Sequence, residues 1–283
     1  MNAAITTQVA LFVLLSALMH AGWNFLVKAS SERLLDTAGL AVAGSLLAAC
    51  LLPFVALPAP ESRPWLAVTV FIHIAYFLAL IETYRHADLS LAYPLMRGVA
   101  PVLVALAAPL IDETLPVGTL LGVTLIGLGI VLPTWFGFRH GVVVRTGIYY
   151  ALGNACIIAL YTLVDGIGVR LSGSAASYTL WLFFLDGWGI LVVALWFRGS
   201  AVSVHLRQRW AQALAGALLT IASYGIVLWA MSVASIPAVA ALRETSVIFA
   251  ALLGAFVLKE RLGHWRVVGA IGVAMGAAAI RWG

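Results

Sequence analysis

Charged residues are scarce in this sequence: only 10% of its 283 residues are Asp, Glu, Lys or Arg, against about 25% in an ordinary soluble domain. Cysteine is scarcer still, so a disulfide scaffold is excluded, and Cys50 and Cys156 are interpreted as buried thiols. Hydrophobic residues make up 63% of the chain instead. This composition excludes intrinsic disorder and all but excludes a soluble globular fold.

The net charge does not point to nucleic acid. Sixteen Lys and Arg residues against eleven Asp and Glu residues give a formal charge of +5, which in a soluble protein would suggest such a partner. Here the basic residues stand singly between hydrophobic segments. We therefore expect no nucleic-acid partner.

Ten apolar runs have the length of about 20 residues that a helix needs to cross a bilayer. They cover residues 6–27, 37–57, 64–85, 89–111, 116–138, 145–169, 175–197, 210–233, 236–258 and 264–282. The first run has no basic residue before Lys28 and is longer than a signal-peptide core, so it is interpreted as a transmembrane helix. The sequence therefore predicts an all-α integral membrane protein of ten transmembrane helices, with no sizeable aqueous domain.

The distribution of Lys and Arg predicts the orientation in the membrane. Connections after the odd-numbered helices carry eleven of these residues, whereas the N-terminus, the other connections and the C-terminus carry three. Since basic residues favour the cytoplasmic side, both termini are predicted to be extracytoplasmic.

An internal repeat appears when the sequence is aligned with itself at an offset of 147 residues. Glu113 then matches Glu260 and Gly122 matches Gly269, without gaps. The repeats are assigned to residues 1–140 and 141–283. Because five crossings turn the second copy upside down, the sequence predicts two inverted five-helix repeats, the plan of many secondary transporters.

Other classes of polytopic protein have less support. A membrane-embedded enzyme would need a motif such as HExxH, or GxSxG with a histidine partner, and neither is present. A channel would need a filter motif or a polar pore helix, and neither is evident in the sequence. We therefore predict a transporter rather than an enzyme, with no cofactor and no metal.

The two halves carry segments that resemble a known family. These segments are PLMRGVAPVLVAL with DETLP in the first half, and ALRETSVIFAALLGAFVLKERLG with GAIGVAMGAAA in the second. They resemble permeases of the drug/metabolite transporter superfamily that are built from two EamA domains. The resemblance implies an exporter or exchanger of amino acids, amines, nucleotide sugars or similar metabolites. Members of this superfamily are often described with cytoplasmic termini, opposite to the orientation that the basic residues predict here.

Three charged residues fall inside the fourth and ninth runs, where charge is costly and therefore indicates function. The repeat aligns Arg97 with Glu244, and Arg243 precedes Glu244 directly. We expect Arg97 to meet Glu244 near the midplane and Arg243 to bind an anionic group of the substrate. A purely structural ion pair is the alternative.

The first helix carries His20, Trp23, Asn24 and Lys28 at spacings of three and four, so these side chains share one face. A polar face on a spanning helix points inward. We predict that His20, Trp23 and Asn24 line the substrate site; hydrogen bonding between helices and snorkelling by Lys28 are the alternatives.

The third and sixth helices add further candidates. His73 and Tyr76 share a face of the third helix, and Tyr76 is a candidate for the substrate site. His73 is a candidate proton relay because histidine changes charge near neutral pH. The sixth helix carries Tyr161, a candidate for the substrate site, and Asp165, a candidate for coupling. A strut that only forms hydrogen bonds is the alternative for His73.

The seventh helix carries Asp186, the most isolated carboxylate in the sequence, next to an aromatic stripe that begins at Trp181. An intramembrane carboxylate without a partner favours its protonated form, as a proton-coupling site requires. A hidden partner such as Arg97 is the alternative. Trp181 is either a wall of the substrate site or part of the core.

Together these features predict a permease of the cytoplasmic (inner) membrane that moves a small polar metabolite by alternating access. The inward Arg, Glu, Asp and His residues suit an amino acid or another zwitterionic or anionic solute. An exporter of lipophilic cations or drugs is the alternative. A proton or a counter-substrate, and a homodimer, are left open as partners beside the small-molecule substrate and the lipid bilayer.

Overall fold

The computed structural model describes residues 5–28, 32–86, 89–137, 145–257, 259 and 264–282. In these residues the chain forms α-helices with short connections, and none of them lies in a strand. The helices are α1 (Thr7–Lys28), α2 (Arg33–Leu51), α3 (Arg63–His86), α4 (Leu89–Leu106), α5 (Val117–Gly137), α6 (Arg145–Leu171), α7 (Ala175–Arg198), α8 (Ala201–Gln208), α9 (Trp210–Val233), α10 (Ile236–Arg243), α11 (Ser246–Val257) and α12 (His264–Trp282). Short 3₁₀ turns lie at Leu52–Phe54, Pro60–Ser62 and Ala108–Ile111.

The fourth and ninth predicted runs are among those that differ from the helices of the structure. The fourth run is predicted to extend to residue 111, but its helix, α4, ends at Leu106. Pro109 lies in the 3₁₀ turn that follows. Its ring nitrogen cannot donate the hydrogen bond that would continue the helix. The ninth run is broken into α10 and α11 at Glu244 and Thr245. Neither proline nor glycine marks this break, so the hydrophobic pattern gave no signal for it.

Seven helical segments are long and apolar enough to cross a membrane, judged by length and composition. They are Thr7–Val27, Leu34–Phe54, Pro60–His86, Arg145–Leu171, Ala175–Arg198, Trp210–Val233 and Ile236–Val257. Two shorter apolar helices, Leu91–Leu106 and Val117–Pro133, and α12 with 19 residues accompany them. The count of ten spanning helices therefore stays a prediction.

Large apolar side chains cover the outer surface of the bundle. Phe71, Trp196 and Phe256 are 73%, 85% and 79% exposed, as expected of side chains that face lipid. Cys50 and Cys156 are also exposed, so their interpretation as buried thiols is wrong. The reason is that an apolar run contains both lipid-facing and core-facing positions, and hydrophobicity does not separate them.

Helices of the two halves pack on one another in a reciprocal pattern. α1 packs on α9 and α3 packs on α6, so the first helix of each half contacts the third helix of the other. α2 packs on α7, α4 on the half-helix α10, and α5 on α12, which pairs equivalent helices. Two halves related by a twofold axis would pack in this way.

Glu113 connects the two halves at one end of the bundle. Its buried carboxylate lies 2.7 Å from Nη2 of Arg170 and accepts a hydrogen bond of 2.8 Å from the hydroxyl of Ser235. The backbone N–H of Ile236 also donates to it, at 3.3 Å, so the carboxylate caps the N-terminus of α10. Arg170 donates in addition to two carbonyl groups at the end of α9. These contacts give Glu113 a structural role, whereas Glu260, its match in the repeat, lies outside the described residues.

The substitution Glu113→Gln should lower the free energy of unfolding by about 2 to 3 kcal/mol, because Arg170 would lose its anionic partner. The melting temperature of the purified protein in detergent measures this effect. Glu61→Gln, at an exposed carboxylate, is the control. Equal melting temperatures of the two variants would contradict a role for Glu113 in holding this end together.

Candidate functional site

A buried ion pair joins α4 to the break between α10 and α11. Nε of Arg97 lies 2.9 Å from Oε2 of Glu244, and Nη2 of Arg97 lies 3.2 Å from Nε2 of His20 on α1. Arg97 and Glu244 are both buried. The structure therefore contains the contact expected between Arg97 and Glu244, and adds His20 to it. Their part in substrate binding stays a prediction.

Arg243 is buried beside this pair but is held differently. Within the described ranges, its Nε has no hydrogen-bond partner. The central carbon of its guanidinium lies 5.4 Å from the centre of the Tyr224 ring, within the range of a cation–π interaction. Arg243 is therefore a buried cation that rests on an aromatic face, with a donor still available.

The break in the ninth run gives Arg243 and Glu244 their position. The N–H of Glu244 donates to the carbonyl of Ala241 and the N–H of Val247 donates to the carbonyl of Glu244, each at 3.0 Å. These bonds span three residues instead of four, so the chain tightens between α10 and α11. Both charged side chains consequently lie at the end of a half-helix inside the bundle, an arrangement that transporters use at binding sites.

Asp165 forms a second buried cluster. Its carboxylate accepts hydrogen bonds from the hydroxyl groups of Tyr178, at 3.1 Å, and Tyr224, at 2.5 Å. Nε2 of His73 lies 3.9 Å from Oδ2, the oxygen that Tyr224 also contacts. Sequence reasoning missed both tyrosines, because a single tyrosine in an apolar run is not a signal. The side chain of Lys28, which shares the polar face of the first helix, lies outside the described residues.

Asp186 is not isolated in the structure, which contains the hidden partner that the sequence left open as the alternative. α3 packs against α7, and this packing places Nδ1 of His73 3.1 Å from Oδ2 of Asp186. The alternative partner, Arg97, contacts Glu244 instead. The imidazole of His73 therefore lies between two carboxylates, those of Asp186 and Asp165. The three predicted coupling residues are brought together.

Aromatic side chains surround the two clusters. The ring of Tyr161 packs edge-on against His73, with centroids 4.7 Å apart, and against Tyr76, at 5.8 Å. Trp23 packs edge-on against His20 at 5.1 Å, and its buried indole N–H has no hydrogen-bond partner in the part of the chain that the structure describes. The structure thus places Tyr161 at the coupling residue His73, Tyr76 beside Tyr161, and Trp23 at the ion pair.

Two of the predicted site residues have local contacts. The side-chain amide of Asn24 donates to the carbonyl of His20 in its own helix, at 2.8 Å. Trp181 packs edge-on against Phe184 at 5.9 Å and contacts the main hydrophobic core. This position agrees with the alternative that Trp181 belongs to the core. The contacts described for Asn24 and Trp181 give neither residue a position at the charged clusters.

Comparisons with known proteins agree with this architecture. Residues 145–282 match the EamA-like transporter family. A protein of known crystal structure superposes with a TM-score of 0.72 over 97% of this chain and 96% of its own, at 15% sequence identity, and so is similar in fold. No curated protein sequence matches significantly. Residues 145–282 are therefore an EamA domain, a domain of the drug/metabolite transporter superfamily, in a multi-pass membrane protein.

Proposed function

We propose that the protein is a secondary transporter that moves a small zwitterionic or anionic metabolite, such as an amino acid, across the cytoplasmic membrane by alternating access. The observation that carries the proposal is Arg243, a buried guanidinium with an unpartnered Nε at the end of a half-helix. An anionic group of a substrate would complete its hydrogen bonding bidentately.

Other buried polar atoms around the site support a substrate with both donors and acceptors. Among the described residues, the indole N–H of Trp23 lacks an acceptor, and one oxygen each of Asn154 and Asp186 lacks a donor. Buried polar groups in proteins are normally hydrogen-bonded. A zwitterion could supply an acceptor to Arg243 and Trp23, and a donor to Asn154 or Asp186.

The packing of the helices supports the mechanism. The proposed arrangement is ten spanning helices in two inverted repeats, with termini outside the cytoplasm. The reciprocal contacts of α1 with α9 and of α3 with α6 are those expected of two such repeats. The charged clusters lie where helices of both halves meet. Rocking of one repeat against the other would expose them to each side in turn.

A second candidate function is the export of lipophilic cations. It is favoured by Asp165 and Asp186, two carboxylates on either side of His73, whose imidazole also packs against the ring of Tyr161. A cation could bind between these groups. Arg243 argues for the first candidate, because its unpartnered Nε can donate to an anion and its positive charge would repel a cationic substrate.

Thermal stabilisation of the purified protein would test the proposal, because a ligand stabilises the state that it binds. The panel contains amino acids, phosphonates, sugar phosphates and lipophilic amines. We expect stabilisation by an amino acid or phosphonate that disappears in Arg243→Ala. Stabilisation by lipophilic amines instead would favour the second candidate.

The substitution Asp186→Asn should abolish proton-driven transport and leave counterflow intact, because the amide cannot exchange a proton with His73. Uptake into proteoliposomes, with and without a pH gradient, measures both modes. Asp36→Asn is the matched control, since Asp36 forms another carboxylate–histidine contact, 2.7 Å from His205. Equal loss of both modes in Asp186→Asn would indicate a structural role.

A further inference from the structure

Tyr224 connects the two charged clusters. Its hydroxyl donates to Oδ2 of Asp165 at 2.5 Å, and its ring lies 5.4 Å from the guanidinium carbon of Arg243. No described contact joins Asp165 to Arg243 directly. Tyr224 is therefore one side chain that contacts both clusters; Tyr161, which packs against His73, is a second aromatic neighbour.

Two groups face the same oxygen of Asp165, and only the hydroxyl of Tyr224 is within hydrogen-bond distance of it. Nε2 of His73 lies 3.9 Å from Oδ2, which already accepts the hydroxyl of Tyr224. In the neutral imidazole a proton on Nδ1, facing Asp186, leaves Nε2 without one. Protonation of His73 turns Nε2 into a charged donor, and charge-assisted hydrogen bonds are the stronger ones. The protonated His73 thus draws Oδ2 away from Tyr224.

We propose that Tyr224 is the positioning residue that links the protonation of His73 to the binding of an anion at Arg243. When His73 is neutral, Asp165 holds the hydroxyl of Tyr224 and its ring supports Arg243. When His73 takes up a proton, Tyr224 loses this bond, its ring turns, and Arg243 loses the aromatic face that holds it. Proton binding and anion binding then oppose each other, as exchange of one for the other requires.

Asp165 is surrounded by a defined set of groups. His73 approaches it from α3, Tyr178 from α7 and Tyr224 from α9. Asp186 lies on the far side of His73, Tyr161 of α6 packs edge-on against the imidazole, and the charge of Arg243 also acts on His73. The hydroxyl of Tyr178 contacts the other oxygen, Oδ1. Because no described contact joins Tyr178 to Arg243, it provides a matched control.

The test follows Arg243 without any substrate. The protein is labelled with ¹⁵N-arginine, and the Nε resonance of Arg243 is assigned by its absence in Arg243→Lys. We expect this resonance to shift between high and low pH, as His73 takes up a proton and the ring of Tyr224 turns. In Tyr224→Phe, which keeps the ring and removes the hydroxyl, the pH-dependent shift should be lost.

Two further variants complete the test. Tyr178→Phe should keep the pH-dependent shift, whereas His73→Gln should lose it. A shift that persists in Tyr224→Phe, or its absence from the unsubstituted protein, would overturn the proposal. The role of this link in transport rests on the proposed function. Its readout needs no substrate, so a failure of the transport assays is distinguishable from a failure of the link through Tyr224.

Discussion

Replacement of Arg243 by lysine should lower substrate affinity about 10- to 100-fold, equivalent to about 1.4 to 2.8 kcal/mol. Lysine keeps the charge, but it lacks the planar fork that binds an anion bidentately and stacks on an aromatic ring. The face of Tyr224 would then support a smaller, more strongly hydrated cation. Ligand-induced thermal stabilisation and uptake into proteoliposomes measure the loss.

The control for this experiment is Arg207→Lys, at an exposed position of α8. Membrane abundance of both variants is compared first, so that a folding defect is not taken for a binding defect. Normal affinity and transport in Arg243→Lys would exclude Arg243 as the anion-binding residue. The site would then have to be sought elsewhere.

Replacement of Glu244 by glutamine should lower the free energy of unfolding by about 3 to 5 kcal/mol, because it leaves Arg97 buried without a compensating anion. Both side chains are buried, and their contact of 2.9 Å connects the first half of the chain to the second. Melting temperature and membrane abundance measure the effect. An unchanged melting temperature would mean that water or another group compensates Arg97.

The double variant Arg97→Met with Glu244→Met separates structure from function. Replacing a buried ion pair by apolar residues of similar volume is often neutral or even stabilising. We therefore expect the double variant to recover most of the stability that Glu244→Gln loses, and yet to transport nothing. Normal transport by the double variant would show that the ion pair is purely structural.

Several features of the site could be predicted from the sequence. Arg97, Arg243 and Glu244 were visible because charge is rare in apolar runs, and the repeat aligned Arg97 with Glu244. The same scarcity identified His73, Asp165 and Asp186. The pairing of His73 with Asp186 was not predictable, since it depends on how α3 packs against α7.

Other features carried no sequence signal. Tyr178 and Tyr224 resemble any aromatic residue of an apolar helix until the fold places their hydroxyl groups on Asp165. The break between α10 and α11 has no proline or glycine. The exposure of Cys50 and Cys156 depends on which face of a helix meets lipid, and a uniformly apolar helix does not show that face.

The sequence by itself determined that this is a multi-pass helical membrane protein, because the backbone of a long apolar run is satisfied in lipid by its own helical hydrogen bonds. It also determined which polar residues enter the bundle. The tertiary structure alone decided which of these residues meet. Contacts such as those of His73 with Asp186 and of Tyr224 with Asp165 join separate helices, and their distances depend on helix rotation and packing that hydrophobicity does not encode.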